Sequence, residues 1–418
     1  MSAPAAANSP PAKGKCREAA RGLVPKLRFP EFSRDSGWDC ATVADLVDIV
    51  APPKKLPSST YLPDGRFPII DQSRSYICGW TNNNEAVITT PLPVVVFGDH
   101  TCVLKFVDHP FAQGADGIKI VTANRCVSTP YLYHQLSHRP LVAKQYKRHF
   151  STLKNRLVYF PDPKLGEQRK IADCLGSLDD LIAAEGRKLE ALRQHKKGLM
   201  QQLFPQPGET APRLRFPEFR ETGDWRRNHI GSVASIAKGK GLSKADIESG
   251  GAIPCIRYAE IYTHYGEVIH EVVSSTNAPK KNLMLSQAED VIVPASGETK
   301  TDIAKAACVL AEGVALGSDL NVLRSDLYGP FFSYLLNSPL RHQIARIAQG
   351  DTVAHLYPKQ ISQVELAYPS HLEQQKIAEC LGSLDALIAA GGRKLEALRQ
   401  HKRGLMQQLF PNPKEGHA

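Results

Sequence analysis

Asp290, Glu298 and Lys300 come closest in this sequence to a catalytic pattern, because carboxylates followed by a lysine are typical of metal-dependent nucleases. Asp290 has no partner motif, however, and it lies in a strand and turn between apolar runs. His100 is a second residue whose type suggests a metal ligand or a general base. No other ligand stands at helical or hairpin spacing from it, so we predict no metal site there.

Motifs for three other kinds of chemistry are absent from the sequence. It contains no GxxxxGK[ST] loop for ATP, no Asn-Pro-Pro-Tyr-like loop and no glycine-rich strand-turn for S-adenosylmethionine. The nine cysteines are odd in number and none has CxxC spacing, which predicts reduced thiols rather than a disulfide framework or a zinc site. We therefore expect no catalytic residues, no metal and no cofactor.

The charge of the chain favours an anionic partner, since its formal net charge is +10. Residues 1–160 hold 20 Lys and Arg against 12 Asp and Glu, a net charge of +8. Residues 206–370 hold 17 against 18, a net charge of −1. If both regions bind the same anionic partner, the second must use a local basic patch.

The ends of the chain predict a location in the cytoplasm. The N-terminus has no apolar segment of the kind that a signal peptide needs, and no stretch approaches the roughly 20 apolar residues of a membrane span. We expect residues 1–23 to form a disordered, weakly basic tail and residues 412–418 a second tail. No membrane partner is expected.

An internal repeat organises the sequence. Residues 167–205 match residues 373–411 at 34 of 39 positions, all at one offset of 206. A shorter pair, Leu-Arg-Phe-Pro-Glu-Phe, occurs at 27–32 and 214–219, and a tryptophan follows each copy at the same distance. Between these markers the two halves are dissimilar, so the order is variable domain, constant segment, variable domain, constant segment.

Each constant segment is predicted to be a long helix with an apolar seam, because its apolar residues alternate at steps of four and three. Glu185 and Lys196 occupy two positions of the seam, and glycine near its middle suggests a kink. Two matched seams favour antiparallel packing of the two helices as a coiled coil. The seam residues are Ile171, Leu175, Leu178, Ile182, Leu189, Leu192, Leu199 and Leu203, then Ile377, Leu381, Leu384, Ile388, Leu395, Leu398, Leu405 and Leu409.

The variable domains are predicted to be mixed α/β, which makes the whole chain α+β. Strands are expected at 94–97, 102–107, 253–257, 291–294 and 306–310, and helices at 131–138 and 331–347. The complete organisation is a first variable domain at 24–160, a helix at 161–205, a linker at 206–212, a second variable domain at 213–370 and a helix at 371–411.

Several motifs in this order resemble the specificity subunit of type I restriction-modification enzymes. The resemblance covers residues 24–411. It is carried by the paired LRFPEF segments, FGDHT at 97–101, GADGIK at 114–119, EQ-x-KIA at 167–172 and 373–378, and LMQQLFP at 199–205 and 405–411. The N-terminal tail precedes the usual start of the family.

The resemblance implies a non-catalytic subunit that binds double-stranded DNA. Two target-recognition domains would each read one half of a bipartite target. The two conserved helices would set the gap and hold two methyltransferase subunits, to which motor-nuclease subunits attach.

Polar residues in loops are the predicted DNA contacts, because recognition residues concentrate there. Arginine reads guanine in the major groove, whereas lysine often contacts phosphate. The residues are Arg74, His100, Thr101, Lys105 and Lys119 in the first domain, and Lys238, Lys240, Lys244, Arg257, Tyr258, Lys281 and Lys300 in the second.

Two other functions remain open at this point. A stand-alone sequence-specific DNA-binding regulator would bind a bipartite duplex tightly without partners. A nuclease or methyltransferase in its own right would act on DNA when supplied with Mg²⁺ and S-adenosylmethionine.

Overall fold

The computed structural model describes residues 23–35, 37–115, 117–143, 147–206, 208–350 and 354–412. The two expected tails lie outside these residues, apart from Leu23 and Asn412. The chain divides into two compact units. The first unit comprises residues 1–186 and 393–418, and the second comprises residues 187–392.

The first unit contains ten short strands, and the order of eight of them defines two four-stranded sheets. The strands are β1 Asp39–Thr42, β2 Val47–Ile49, β3 Phe67–Ile70, β4 Gly79–Thr81, β5 Val87–Ile88, β6 Val94–Gly98, β7 Leu104–Val107, β8 Phe111–Gln113, β9 Ile118–Ala123 and β10 Leu157–Phe160. The sheet orders are β2-β9-β6-β7 and β4-β3-β8-β5, and β1 pairs antiparallel with β10. The short helices are α1 Val43–Leu46, α2 Thr129–His138 and α3 Phe150–Lys154.

Two long helices follow the variable segments, α4 Glu167–Leu203 and α11 His371–Leu409. The strands of the second unit are β11 Arg226–His229, β12 Ala234–Lys238, β13 Ile253–Ile256, β14 Val268–Ile269, β15 Ser274–Thr276, β16 Met284–Leu285, β17 Asp290–Pro294, β18 Ser296–Gly297, β19 Ala307–Val309, β20 Ala315–Leu316, β21 Leu320–Ser325, β22 Ala354–His355 and β23 Glu365–Tyr368. Its short helices are α5 Ile230–Val233, α6 Tyr258–Thr263, α7 Lys300–Ile303, α8 Gly329–Asn337, α9 Arg341–Ile347 and α10 Pro358–Ser362.

The two units share one sheet topology although their sequences differ. The second unit has the orders β12-β21-β17-β19-β14 and β15-β13-β20-β16, which repeat those of the first unit with β14 added at one edge. The parallel pairing of β3 with β8 recurs between β13 and β20, and the antiparallel neighbours of both pairs recur as well. The α+β fold class predicted from the sequence is confirmed.

The strands predicted from apolar runs are close to those observed, but one predicted helix is wrong. Residues 331–347 form two helices, α8 and α9, rather than one. Pro339 lies between them, and a proline lacks the backbone N–H of a continuous helix and constrains the residue before it. The glycines near the middle of the long helices do not end them, since α4 and α11 are continuous through Gly186 and Gly392; a kink at these glycines stays a prediction.

Within the first unit, the beginning of α4 packs antiparallel to the end of α11. Asp179 forms an ion pair with Lys402, and Glu185 forms one with Lys394 at 2.7 Å. From Asp179 to Glu185 the residue number rises along α4, while the number of the paired lysine on α11 falls from 402 to 394. The two helices are therefore antiparallel. Glu185, at a polar position of the predicted seam, is only 7% exposed and so buries a paired charge.

The second unit repeats this packing with the other ends of the same helices. Lys196 lies 2.6 Å from Asp385, the pair that corresponds to Lys402 and Asp179 at the repeat offset of 206. Lys196 is 8% exposed and also donates a 2.8 Å hydrogen bond to Glu267. The two polar seam positions thus contain specific ion pairs, which favour one register of the helices.

All sixteen residues of the predicted seam are buried or half-buried. The buried ones are Ile171, Leu175, Leu189, Leu203, Ile377, Leu381, Leu395 and Leu409. The half-buried ones are Leu178, Ile182, Leu192, Leu199, Leu384, Ile388, Leu398 and Leu405.

The beginning of each long helix is tied to its unit by a buried ion pair. Glu167, fully buried, accepts bonds of 2.8 and 2.7 Å from Arg28 Nε and Nη2. Glu373, 1% exposed, accepts two bonds of 2.8 Å from Arg215 in the same two-pronged geometry. These hydrogen bonds raise the pKa of both arginines. Each LRFPEF segment therefore supplies the arginine that neutralises the buried glutamate at the beginning of one long helix.

Cys40 differs from the prediction of reduced thiols. It is disulfide-bonded. Seven other cysteines of the described residues are free thiols. Spacing along the sequence did not reveal this bond, because a disulfide requires proximity in space and not a sequence motif.

Replacing Arg215 with Met should destabilise the second unit by about 3–5 kcal/mol, because it leaves the Glu373 charge buried without its partner. Urea unfolding followed by hydrogen exchange around Trp225 would measure the loss. Arg213→Met is the matched control, since Arg213 pairs with Glu209 at the surface and its side chain is 68% exposed. Arg213→Met should lower the free energy of unfolding by less than about 1 kcal/mol. Equal losses in the two variants would contradict the role of the buried pair.

Candidate nucleic-acid interface

Three loops of the first unit meet at one end of its sheets, and we call them the first rim: residues 71–78, 98–102 and 114–119, of which residue 116 is outside the described set. The backbone N–H of Asp99 donates to the carbonyl of Gly117 at 2.7 Å and joins two of these loops. The first rim includes the FGDHT and GADGIK motifs in part.

The equivalent loops of the second unit, residues 256–258, 295–300 and 317–319, form the second rim. Here the N–H of Ala295 donates to the carbonyl of Asp319 at 2.8 Å, in the place of the Asp99 bond. The same loop junction is therefore built from two unrelated sequences.

A second repeated bond joins the remaining loop of each rim. The N–H of Gly114 donates to the carbonyl of Ile70 at 2.9 Å, and the N–H of Gly317 donates to that of Ile256 at 2.9 Å. The backbone geometry of the two rims is thus alike, whereas their side chains differ.

Gln72 explains why one glycine of the first rim is required. A Cβ atom at Gly117 would lie 2.7 Å from the amide nitrogen of Gln72, and Gly117 has a φ of +99°. Both the close approach and the left-handed backbone favour glycine.

Lys105 lies beneath the first rim, although the sequence predicted it to be a DNA contact. It is 4% exposed, and its ammonium donates to the carbonyls of Asp71 at 2.8 Å and Ser75 at 2.5 Å. Burial lowers the pKa of Lys105. Its hydrogen bonds hold the loop at 71–78, at whose tip Arg74 is exposed.

Two more hydrogen bonds hold this loop from the side. The Thr101 hydroxyl donates to the carbonyl of Gln72 at 2.7 Å, and the Tyr76 hydroxyl donates to that of Phe106 at 2.6 Å. Tyr76 nevertheless remains 42% exposed. Arg74 thus lies on a loop that is fixed at several points.

The remaining predicted contacts of the first unit lie at the rim or beside it. His100 is half-buried in the turn after β6. Lys119 is half-buried too, and its Nζ lies 5.8 Å from the ring centre of Phe150. The structure therefore brings four predicted residues to the first rim and places the fifth, Lys105, below it.

Arg257, Tyr258 and Lys300 belong to the second rim. The Arg257 guanidinium is half-buried and lies 3.9 Å from the carboxylate of Glu260. Tyr258 packs edge-on against Tyr262, with ring centres 6.2 Å apart, and Lys300 is exposed at the start of α7.

The other predicted lysines of the second unit form a lysine patch beside the second rim. The patch consists of the predicted Lys238, Lys240, Lys244 and Lys281 together with Lys280, which was not predicted, and all five are exposed. Its two segments meet where the N–H of Met284 donates to the carbonyl of Lys240 at 3.5 Å. The N–H of Lys240 donates to the carbonyl of Leu316 at 3.0 Å, next to the second rim. A local basic surface of this kind was expected if the second region binds an anionic partner despite its low net charge.

His355 and Tyr357 also lie at the second rim, although neither was among the contacts predicted from the sequence. His355 pairs with Ser296 in the β18–β22 ribbon. The rings of His355 and Tyr357 are stacked with centres 6.3 Å apart, and Lys238 Nζ lies 5.6 Å from the ring centre of Tyr357. Tyr357 is 45% exposed. About sixty residues separate this segment from its partner strand, so the sequence does not show that the two are neighbours. The only sequence signal for a DNA contact here was an aromatic residue near basic ones.

The carboxylate-lysine pattern at Asp290 is not assembled into one site. Asp290 is 2% exposed and accepts a 3.1 Å hydrogen bond from Arg324, at the beginning of β17. Glu298 follows the other end of that strand. Among the described residues, no group of three or more His, Cys, Asp or Glu side chains is arranged to hold a metal ion. No helix of the described chain is long and apolar enough to cross a membrane.

Curated relatives align with much of the chain. It is 23% identical over 312 residues to the type I restriction enzyme MjaVIII specificity subunit of Methanocaldococcus jannaschii, an alignment of 70% of this chain and 72% of the relative. It is 21% identical over 370 residues to the EcoR124I/EcoR124II specificity subunit of Escherichia coli, covering 83% of this chain and 88% of the relative.

A solved structure has the same fold. The S subunit of a type I restriction-modification system from M. genitalium superposes with a TM-score of 0.64 and 16% identity, over 93% of this chain and all of that one. The family model described as type I restriction modification DNA specificity domain matches residues 222–400, which include the second rim and the lysine patch. Residues 222–400 thus match the type I restriction modification DNA specificity domain, and most of the chain is similar in sequence and fold to specificity subunits of type I restriction-modification systems.

Proposed function

We propose that each unit reads one half of a bipartite DNA target through its rim. The observation that carries this proposal is the repeat of one loop junction in two sheets whose surface side chains differ. Equal backbones with unequal side chains suit two different half-targets, because base edges are distinguished by side-chain donors and acceptors.

In the first rim, Arg74 is the proposed reader. It is exposed on a loop whose backbone is held by Lys105 and Thr101, and an arginine in a fixed position makes a bidentate contact with guanine. His100 and Lys119 contribute contacts beside it. Lys105 takes the role of a positioning residue, since its ammonium is already bonded to two carbonyls.

In the second rim, Arg257, Tyr258 and Lys300 are the proposed contacts with the bases and the adjoining backbone. The lysine patch supplies phosphate contacts, since exposed lysines neutralise the DNA backbone without reading sequence. Tyr357 offers a ring face beside Lys238 in the same surface.

Two methyltransferase subunits would dock on the constant helices, one for each copy of the repeat. Leu181 and Leu387 support this, because they occupy equivalent positions and are 42% and 55% exposed. A large apolar side chain that is partly exposed at the same place in both copies suits an apolar partner surface. Methyl transfer, and the motor and nuclease reactions, would then belong to the partners, with the motor-nuclease subunits attached through the methyltransferase core.

The same helices would set the gap between the half-targets. A helix of 37 residues is about 56 Å long. Half-sites on one face of DNA lie about 34–36 Å apart. A pair of such helices is therefore long enough to act as the spacer.

Arg74→Ala should relax recognition of the first half of the target and leave the second half unchanged. The loss of one bidentate contact corresponds to roughly 1–3 kcal/mol of discrimination, or about 5- to 150-fold. Binding of the assembled methyltransferase complex to duplexes with either half scrambled would measure it. Arg257→Ala should give the reciprocal result.

Lys105→Met tests the positioning role in the same assay, with a predicted loss for the first half only. Lys164→Ala is the matched control, because Lys164 is an exposed lysine of the first unit that lies outside the rim. If Arg74→Ala weakened both halves equally, independent reading would be refuted.

Leu181→Asp and Leu387→Asp should each remove one methyltransferase subunit, because each places a charge on one proposed docking surface. Native mass spectrometry should find two partner subunits on the wild-type chain and one on each variant. Val273→Asp is the control, since Val273 is 62% exposed but lies outside the repeat, and it should retain two. A wild-type complex saturated at one partner would overturn the docking model.

A further inference from the structure

A cavity of about 280 Å³ in the first unit contains two arginines, and we call it the arginine pocket. Its polar lining is contributed by Gln135, His138, Arg139, Arg156 and the backbone around Tyr159. None of the described residues that line it is an Asp or a Glu. The pocket lies between the end of α2, the start of β10 and Pro411, so it is separate from the loops of the first rim.

No carboxylate of the described residues neutralises the charges of the arginine pocket. Arg139 Nη2 donates to the Asn412 side chain at 2.9 Å, which is a neutral partner. The side chain of Arg156 has no hydrogen bond or ion pair with any described residue. Burial and the charge of Arg139 lower the pKa of Arg156. Two half-buried guanidinium groups thus face one cavity, and the part of the chain that the structure describes supplies no counter-ion there.

His138 also lines the arginine pocket, where the charges of both arginines act on its ring. Burial, followed by the charges of Arg139 and Arg156, lowers its pKa to about 4. The ring is therefore neutral near pH 7 and carries one N–H donor and one acceptor. It adds a neutral donor to the two cationic ones.

The second unit shows that the fold does not need these arginines. An equivalent cavity of about 420 Å³ lies beside Pro205, the counterpart of Pro411. At the positions equivalent to Arg139 and Arg156, after α8 and before β23, the second unit has Pro339 and Val364. That cavity also includes two carboxylates beside its arginine. A cavity lined by two arginines and by no described carboxylate is therefore particular to the first unit.

We infer that the arginine pocket binds a phosphate group. Two guanidinium groups match the charge of a phosphate dianion and offer donors in more than one plane, as a tetrahedral oxyanion requires. A carboxylate would need only one planar arginine. The group is supplied by inorganic phosphate, a phosphate monoester or the backbone of a nucleic acid.

Inorganic phosphate is the probe for the first experiment, with the full-length chain and sodium chloride at matched ionic strength as reference. Isothermal titration should detect phosphate binding to the wild type, and Arg156→Gln should weaken it at least 10-fold. Arg220→Gln, which removes an exposed arginine of the second unit, should leave it unchanged. Equal phosphate affinity of Arg156→Gln and the wild type would overturn the inference.

A measurement on the unmodified chain guards against misfolding of the variant. Phenylglyoxal modifies accessible arginines, and mass spectrometry would locate the modified sites. Phosphate should slow modification of Arg139 and Arg156 and leave that of Arg220 unaltered. Equal rates with and without phosphate would also count against the site.

The source of the phosphate is resolved by a third measurement. If the nucleic-acid backbone supplies it, Arg156→Gln should reduce the salt dependence of binding to random duplex by about one unit of slope. If the slope is unchanged while phosphate binding is lost, the ligand is free phosphate or a monoester. Both results support the inference, and neither depends on how the rims read the bases.

Discussion

Each unit depends on a buried carboxylate at the beginning of a long helix. Glu167 and Glu373 are both removed from water, and each is neutralised by one arginine that approaches it with two nitrogen atoms. The cost of burying a charge is several kcal/mol, so the pair is stable only when the geometry is correct. The interaction therefore fixes the start of the helix against the segment that carries the arginine.

The apolar core of each unit extends this attachment. The core of the first unit includes Ile171 from the beginning of α4 and Phe410 after the end of α11. That of the second includes the equivalent residues Ile377 and Phe204. The most constant segments of the sequence are thus the ones that join helix to sheet, and the rims can vary without disturbing them.

The long helices could be predicted because the spacing of their apolar residues is a local pattern and occurs in both copies of the repeat. The seven-residue period and the repeat define the seam without any tertiary information. The strands at β6, β17 and β19 were predictable for a similar reason, as continuous apolar runs bounded by turns.

The shared topology of the two units could not be predicted, since it is carried by backbone pairing and not by matching residues. Lys105 illustrates the limit at the site. A lysine beside a turn predicts a solvent-exposed charge. The ammonium of Lys105 instead donates its hydrogen bonds to two loop carbonyls and is buried. His355 and Tyr357 reach the second rim only through pairing with a distant strand.

The central claim is that the two units read separate half-targets at a distance set by the helices. Four helix-forming residues inserted after Gly186 and four more after Gly392 would lengthen both helices at the boundary between the units, so every contact within each unit is retained. The insertion adds about 6 Å of helix, or about two base pairs at 3.4 Å each. Sequencing of methylated DNA from cells that carry the variant complex should show an unchanged pair of half-targets with a gap longer by one or two base pairs. An active variant with the original gap, or with altered half-targets, would contradict the account.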